Sequence, residues 1–530
     1  MNSLFIACAC GALFFLAYRF YGRFLQALLQ VDPKKPTPAF TKSDSLDYIP
    51  ARNRMVLFGH HFSSIAGAGP IIGPVIAVML WGWLPALLWV VIGSIFIGGI
   101  HDFGSLVISV KEGGSSVADI AGQVISRRAK LLFAVFVWLA LILVIAVFTY
   151  LCADTFVKEP KIVMPSLGLI PVAMVVGYLF YNLKVNTVTA TVFGLLCLAG
   201  LLFLGNIVPV NARLWVWITV LFVYVYFASV LPVNILLQPR DYLSCFLLLF
   251  GVGAGYLGLL ISRPEMTTPA YRALSSSEGS LWPMLFVTVA CGAVSGFHAL
   301  IASGTTSKQI ASEAHARPIG YGGMLAEGLV AVLAIIAAGV LFGANDDLGA
   351  ILKSTTPIGI FGKGYGVITA PVLGAYGPFI AVCILNAFIL TTLDTATRIA
   401  RYLSEELFGI KNRHFSTILV VVLSAGLAFS GQWAKIWPVF GASNQLVAAL
   451  ALFVLSCWLL ARNKPVKFTL WPALFMLVTT LAALFAQARK YFLSGDNLLF
   501  IITCVLIALA GFMVKEVICV LRRKKACVRV

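Results

Sequence analysis

Charge is what this sequence has least of. Asp, Glu, Lys and Arg make up 11% of its 530 residues, where a soluble globular chain carries roughly 25%. Hydrophobic residues make up 60% and mean hydropathy is +0.98. No soluble core could hide that much apolar surface, so the solvent must be lipid. The pattern GxxxxGK[ST] is absent, which excludes direct drive by ATP through a P-loop. HExxH, a GxSxG elbow and metal-type CxxC pairs are also missing, and with them the common signatures of metalloproteases, serine hydrolases and zinc modules. The expectation is a protein that is not an enzyme and holds no cofactor or metal. Most of the eleven cysteines lie in or beside apolar runs, where cysteine acts as a small hydrophobe. Disulfide frameworks belong to small secreted domains instead. The opening MNSLFIACACGALFFLAYRFYGRF has no basic n-region, so it reads as a retained membrane helix.

What the chain has is long apolar runs. They are continuous, unlike the alternating strands of an outer-membrane barrel. They predict an all-α polytopic membrane protein of about 15 transmembrane helices, at about 20 residues each. The runs are 3–20, 62–81, 84–109, 131–152, 162–181, 187–207, 214–237, 243–261, 281–303, 321–343, 367–394, 416–430, 435–461, 468–486 and 497–519. The net charge of +18 resembles that of nucleic-acid binders, but its placement excludes that partner. Of the 38 basic residues, 28 fall in one set of alternate loops and 10 in the other. This asymmetry is the positive-inside signal, with some attraction to anionic lipid added. It predicts a cytoplasmic-membrane protein with its N-terminus outside and its C-terminus inside. The loops 262–280 and 344–366 then lie outside, and either could serve as a lid.

Residues 58–77, FGHHFSSIAGAGPIIGPVIA, break the pattern of uninterrupted helix. Gly67, Gly69, Pro70, Gly73 and Pro74 place five helix breakers within eight residues. A single Gly-x-Gly-Pro would be ordinary close packing of membrane helices. Five breakers beside two histidines and two serines exceed that. In hydrocarbon, unwound backbone survives only where protein or a wet cavity surrounds it. Its free carbonyls suit a cation, and its free N–H groups suit a carboxylate. The expected substrate contacts are His60, His61, Ser63, Ser64, Gly67 and Gly69. Ser229 and Asn234 join them from 227–244, FASVLPVNILLQPRDYLS, whose polar and proline interruptions suggest a second discontinuous helix. In CGAVSGFHALIASGTTSK, Ser303, Thr305 and Thr306 offer oxygens suited to a hard cation.

Ionisable groups inside membrane spans are expensive and usually functional. Asp102, Glu327 and His298 are candidates for proton relay, with H⁺ or Na⁺ as the coupling ion. Arg240, Asp241 and Asp394 fall near the inner ends of their helices and suggest a gate or a structural ion pair.

These stretches carry a resemblance. FGHHFSSIAGAGPIIGPVIA, SVLPVNILLQPRDYLS, CGAVSGFHALIASGTTSKQI, LDTATRIARY and PVFGASNQLVAAL resemble the signature stretches of the carbon starvation protein CstA family. Familiar members are longer, with loops and helices that this chain lacks. The resemblance implies a secondary transporter of the amino acid/polyamine/organocation superfamily with a LeuT-like, five-plus-five inverted-repeat core. It also implies uptake of peptides, or of pyruvate with protons, under nutrient limitation. The expected organisation is 1–57 as an N-terminal helix and basic loop, 58–395 as the core with repeats at about 58–208 and 213–395, and 396–530 as further helices. The partners expected are a small solute and the lipid bilayer, with the oligomeric state left open. A nutrient sensor built on a transporter fold remains the alternative.

Overall fold

The computed structural model describes residues 1–527 apart from 45, 344 and 345, so the last residues of the expected C-terminal region, 528–530, lie outside the described residues. The chain is helical nearly throughout, with one two-stranded hairpin at 275–280. Twelve segments among the described residues are long and apolar enough to cross a membrane. One of them, 357–408, is two helices joined at 374–376. Shorter apolar helices at Leu214–Val230 and Arg413–Phe429 occupy two more of the expected runs. Large apolar side chains such as Phe5, Leu196, Phe203 and Trp471 are fully presented on the outside, which suits lipid contact.

Ten helices build the centre: α1 Arg54–Ile65, α2 Gly69–Trp81, α3 Trp83–Lys111, α4 Leu237–Ser262, α5 Leu281–Thr288, α6 Gly296–Gly304, α7 Gly322–Gly339, α8 Pro357–Leu373, α9 Gly377–Phe408 and α10 Trp433–Ala461. Local chemistry starts and stops them. The Asn53 side chain accepts from the Val56 N–H at 2.9 Å and caps α1, leaving one fewer orphan donor. Pro70 enters α2 in its first turn, where the missing N–H has no partner to lose. Gly82 turns α2 into α3 with φ +97, a conformation that favours glycine.

The run 62–81 is not one rod. Residues 66–68 are non-helical, and α1 and α2 are separate segments. The run 281–303, expected as a single helix, is broken as well, with 289–295 unwound between α5 and α6. The two breaks face each other. A Cβ on Gly69 would sit 2.3 Å from Cys291 Sγ, and one on Gly73 would sit 2.3 Å from the Thr288 carbonyl oxygen. The discontinuity expected at 227–244 is a different object. Leu214–Val230 ends and α4 begins at Leu237, so 231–236 is a connection between two helices. Pro232 interrupts there because the chain turns, not because a helix unwinds in mid-span, and Pro239 sits in the first turn of α4.

The basic loop after residue 28 folds back over one face. Thr37 donates to the Ile310 carbonyl at 2.5 Å, Val233 N–H to Leu46 O at 3.1 Å, and Ala51 N–H to Gln309 O at 3.0 Å. The opposite face holds Met1, the 263–280 segment and the end of α7, joined by Met266 N–H to Met1 O and Thr267 N–H to Gly339 O. The expected loop 344–366 is largely helical. Leu348–Ser354 is capped by Asp347, and α8 is capped by Thr356. Both α7 and the 374–376 turn end on the opposite face, so 340–373 dips inward and returns without crossing.

Gly73→Ala is expected to destabilise by about 1–3 kcal/mol, since the new methyl must displace backbone rather than a flexible side chain. The check is the melting temperature of the purified protein in detergent. Gly200→Ala, with nothing within 4 Å of its Cβ position, is expected to melt at or above the parent temperature.

Candidate functional site: two facing helix breaks

Each break releases carbonyls that lipid cannot satisfy, and neighbouring side chains take them. Thr391 Oγ1 donates to Ser63 O at 2.6 Å, and Thr392 Oγ1 donates to Ser64 O at 3.1 Å, both from α9. Thr395, one turn on, meets the Ser64 hydroxyl at 3.0 Å. From α3, Trp89 Nε1 donates to Val289 O at 3.1 Å and Ser94 Oγ to Gly292 O at 3.1 Å. From α10, Asn444 accepts from the Phe297 N–H at 2.8 Å and donates to Ser295 Oγ at 3.0 Å. Gln445 donates to Phe286 O at 2.5 Å. These partners were not among the expected site residues. Their signal was present as polar pairs inside apolar runs, TT at 391–392 and NQ at 444–445.

Beside the breaks lie two chains of buried ionisable groups. In the first, His60 Nδ1 is 2.6 Å from Asp241 Oδ2, and its other nitrogen is 3.3 Å from Thr305 Oγ1. Next to Asp241, Arg240 pairs with Asp394 and donates to the Tyr224 hydroxyl at 2.7 Å; that hydroxyl donates to Asp394 at 2.5 Å. The expected gate at the inner boundary is therefore no surface feature. Arg240, Asp241 and Asp394 are at most 1% exposed, because the folded-back loop covers the start of α4 and α9 continues to Phe408.

The second chain runs His101–Asp102–His298–Glu327. Asp102 receives His101 Nδ1 at 2.7 Å and His298 Nδ1 at 2.8 Å. His298 Nε2 is 3.2 Å from Glu327 Oε2 but not aligned for a hydrogen bond. Both Glu327 oxygens, His101 Nε2 and His61 Nε2 are buried with no hydrogen-bond partner among the described residues. His61 meets Thr306 Oγ1 at 2.8 Å, and Gly323, one turn before Glu327, packs on its ring.

Of the expected substrate contacts, His60, His61, Ser63, Ser64, Gly67 and Gly69 are brought together at the α1–α2 break. Ser229 and Asn234 are not. Ser229 meets Thr417 at 3.3 Å, and Asn234 lies in the connection at 231–236. The expected cation set also divides. Thr305 faces the His60 ring and donates to Ile301 O at 3.1 Å, Thr306 faces the His61 ring, and Ser303 donates to its own helix at Ala299 O while accepting from Val117 N–H. Van der Waals contact fills the space between the breaks, since Gly67 packs on Thr392 and Phe148 and Gly69 on Cys291. A cavity of about 500 Å³ on the opposite face extends toward the breaks as far as Thr288 of α5, between Ile76 and Leu80 of α2, Leu352, Thr356 and Trp437. None of the expected substrate residues lines it.

On the loop-covered face, Asp47 clamps α9. Its carboxylate meets Arg398 Nη1 at 2.7 Å and Arg401 Nη2 at 3.4 Å. Burial pushes the Asp47 carboxyl up, but Arg398, Arg401 and Lys308 outweigh burial and hold it below its ordinary range.

A family profile described as Carbon starvation protein CstA matches residues 2–355 and 344–483. The peptide transporter CstA of Bacillus subtilis (strain 168) is 31% identical over 97% of this chain and 96% of that protein. The peptide transporter CstA of Escherichia coli (strain K12) is 32% identical over 91% and 81%. The pyruvate/proton symporter BtsT of the same strain is 30% identical over 91% and 81%. The Bacillus relative is matched along nearly its whole length, so greater length is a property of only some relatives. Among solved structures, the manganese transporter of Eremococcus coleocola is 13% identical, with a TM-score of 0.52 over 89% of this chain and 95% of that chain. At that identity the likeness shows a shared fold alone.

A carboxyl held low in the folded state contributes stability above its unfolded pKa of about 4 and loses it as pH falls through the lower folded value. The loop 29–53 is therefore expected to resist proteolysis equally at about pH 5 and pH 8 and to open only in stronger acid. Asp47→Asn should be cut readily at every pH. Equal protection of the variant and the parent would rule out the clamp.

Proposed function

The chain belongs to the carbon starvation protein CstA family, and we propose that it is a proton-coupled symporter importing a small carboxylate-bearing solute, a peptide or pyruvate, across the cytoplasmic membrane. The observation that carries this reading is the pair of interrupted helices packed break to break, with the Asp102–His298–Glu327 chain against them. α1–α2 runs away from the loop-covered face and α5–α6 runs toward it. Antiparallel broken helices around one centre are what an inverted repeat supplies. They take the place of the pairing with 227–244 that the sequence suggested.

On this reading the basic, loop-covered face is cytoplasmic, and the 500 Å³ cavity opens outside. The solute's carboxylate enters when Cys291 and Thr392 withdraw from Gly69 and Gly67, uncovering the N-terminus of α2, where N–H groups and the helix dipole favour an anion. Glu327, with no hydrogen-bond partner for either oxygen among the described residues, takes the co-transported proton, and His298, 3.2 Å away, connects it to Asp102. Binding both solute and proton in one conformation and releasing both in the other couples their fluxes.

Proteoliposomes under an imposed proton gradient are expected to accumulate labelled pyruvate or dialanine. Glu327→Gln should lose gradient-driven accumulation while keeping solute exchange. Accumulation driven only by a Na⁺ gradient would replace the proton with Na⁺. Tight binding without accumulation would favour a sensor over a transporter.

A further inference from the structure

Just beyond the end of α6 stands a cation with no carboxylate of its own. The Lys308 ammonium lies over the faces of Tyr402 and Tyr48, 4.1 and 5.3 Å from the ring centroids. Among the described residues, no acidic oxygen lies within ion-pair distance of it, because the nearby acids are committed elsewhere. Asp47 is held by Arg398 and Arg401, Glu405 lies 3.8 Å from Arg401, and Asp119 and Glu406 share Lys130 at 2.6 and 2.5 Å. Asp44 and Asp47 act on Lys308 only at longer range. Aromatic faces attract a cation without neutralising it. Lys308 is half-buried, and a partly desolvated ammonium held by rings and by carboxylates only at longer range favours a visiting anion.

The space for one is present. Lys308 faces a cavity of about 190 Å³ on the loop-covered side, lined also by Leu300, Ser303, Ile399, Tyr402 and the carboxylates of Asp119 and Glu406. Leu300 and Ser303 belong to α6, the helix that begins at the central break, and Ile399 and Tyr402 belong to α9, which closes the other break. The roof is Tyr48, from the loop that Asp47 clamps to α9. The cavity thus lies between the centre and the covered face, with Tyr48 of that loop and the 114–118 segment both lining it. Asp119 and Glu406 both hold Lys130, one ammonium for two carboxylates, so Lys308 is the cation of the lining that a ligand's carboxylate can meet.

We propose that Lys308 forms a release-side subsite for the carboxylate of the transported solute, occupied after the solute leaves the central breaks and before loop 29–53 lifts. This rests on the carboxylate-transport reading above. It adds a second station on the path and assigns Tyr48 and Tyr402 as the groups that position the ammonium.

Exchange is measured in oriented proteoliposomes, with pyruvate and dialanine varied on one face while the other is saturated. Lys308→Gln is expected to raise the half-saturating concentration on the loop-covered face by about tenfold, the scale of one charge-assisted contact. It should leave the opposite face within about twofold, and Lys308→Arg should restore most of the loss. Dialanine amide, which lacks the carboxylate, should show no dependence on residue 308. Equal shifts on both faces, no shift on the covered face, or an Arg variant as impaired as the Gln variant would overturn the subsite. Failure of the parent protein to exchange either solute would instead overturn the transport reading, so the two failures are distinguishable.

Discussion

The architecture depends on one constraint: a peptide group unwound inside lipid must find its hydrogen bond within the protein. Two helices here stop and restart in the interior, and the carbonyls they release are met by Thr391, Thr392, Trp89, Ser94 and Gln445. Three different helices are committed to this work. Their polar side chains cannot turn toward lipid without leaving donors and acceptors unpaired, so the register of α3, α9 and α10 against the breaks is set by that requirement. The close approach of the breaks follows, because only glycine at 69 and 73 lets the α5–α6 segment pack at this distance.

A second constraint is electrostatic. Charges removed from water are tolerated when paired and hydrogen-bonded, and such pairs are weak evidence for stability in their own right. Arg240–Asp394, His60–Asp241 and Asp102 between two histidines are fully enclosed, yet among the described residues Glu327 has no hydrogen bond to either oxygen and His61 and His101 each keep a ring nitrogen without one. A molecule selected for packing alone has little reason to keep them. Their position beside the breaks is what the proposed coupling of a solute to a proton rests on. The loop clamped by Asp47 closes one side of this centre, while the 500 Å³ cavity extends toward it from the other.

Much of this was legible in the residues. Low charge and continuous apolar runs required a helical membrane protein, because neither a soluble core nor an alternating barrel strand has that pattern. The clustered breakers at 67–74 located one unwound segment, since Gly and Pro weaken a helix wherever it is placed. The motif stretches identified the family. The second break was not legible: CGAVSGFHAL carries only Gly292 and Gly296 and no proline, and it unwinds because Asn444, Trp89 and Ser94 take up its backbone groups. Ser229, Pro232 and Asn234 misled for the complementary reason. A turn between helices and an unwound span use the same residues, and only their depth separates them.

Composition, periodicity and local breakers are properties of neighbours along the chain, so the sequence by itself determined the class of fold and the α1–α2 break. Which break faces which, which hydroxyl caps which carbonyl, and that Asp241 belongs to His60 across 181 positions were decided only by tertiary packing. Those pairings hold between helices far apart in sequence, and their energy depends on distances and burial that no local pattern encodes.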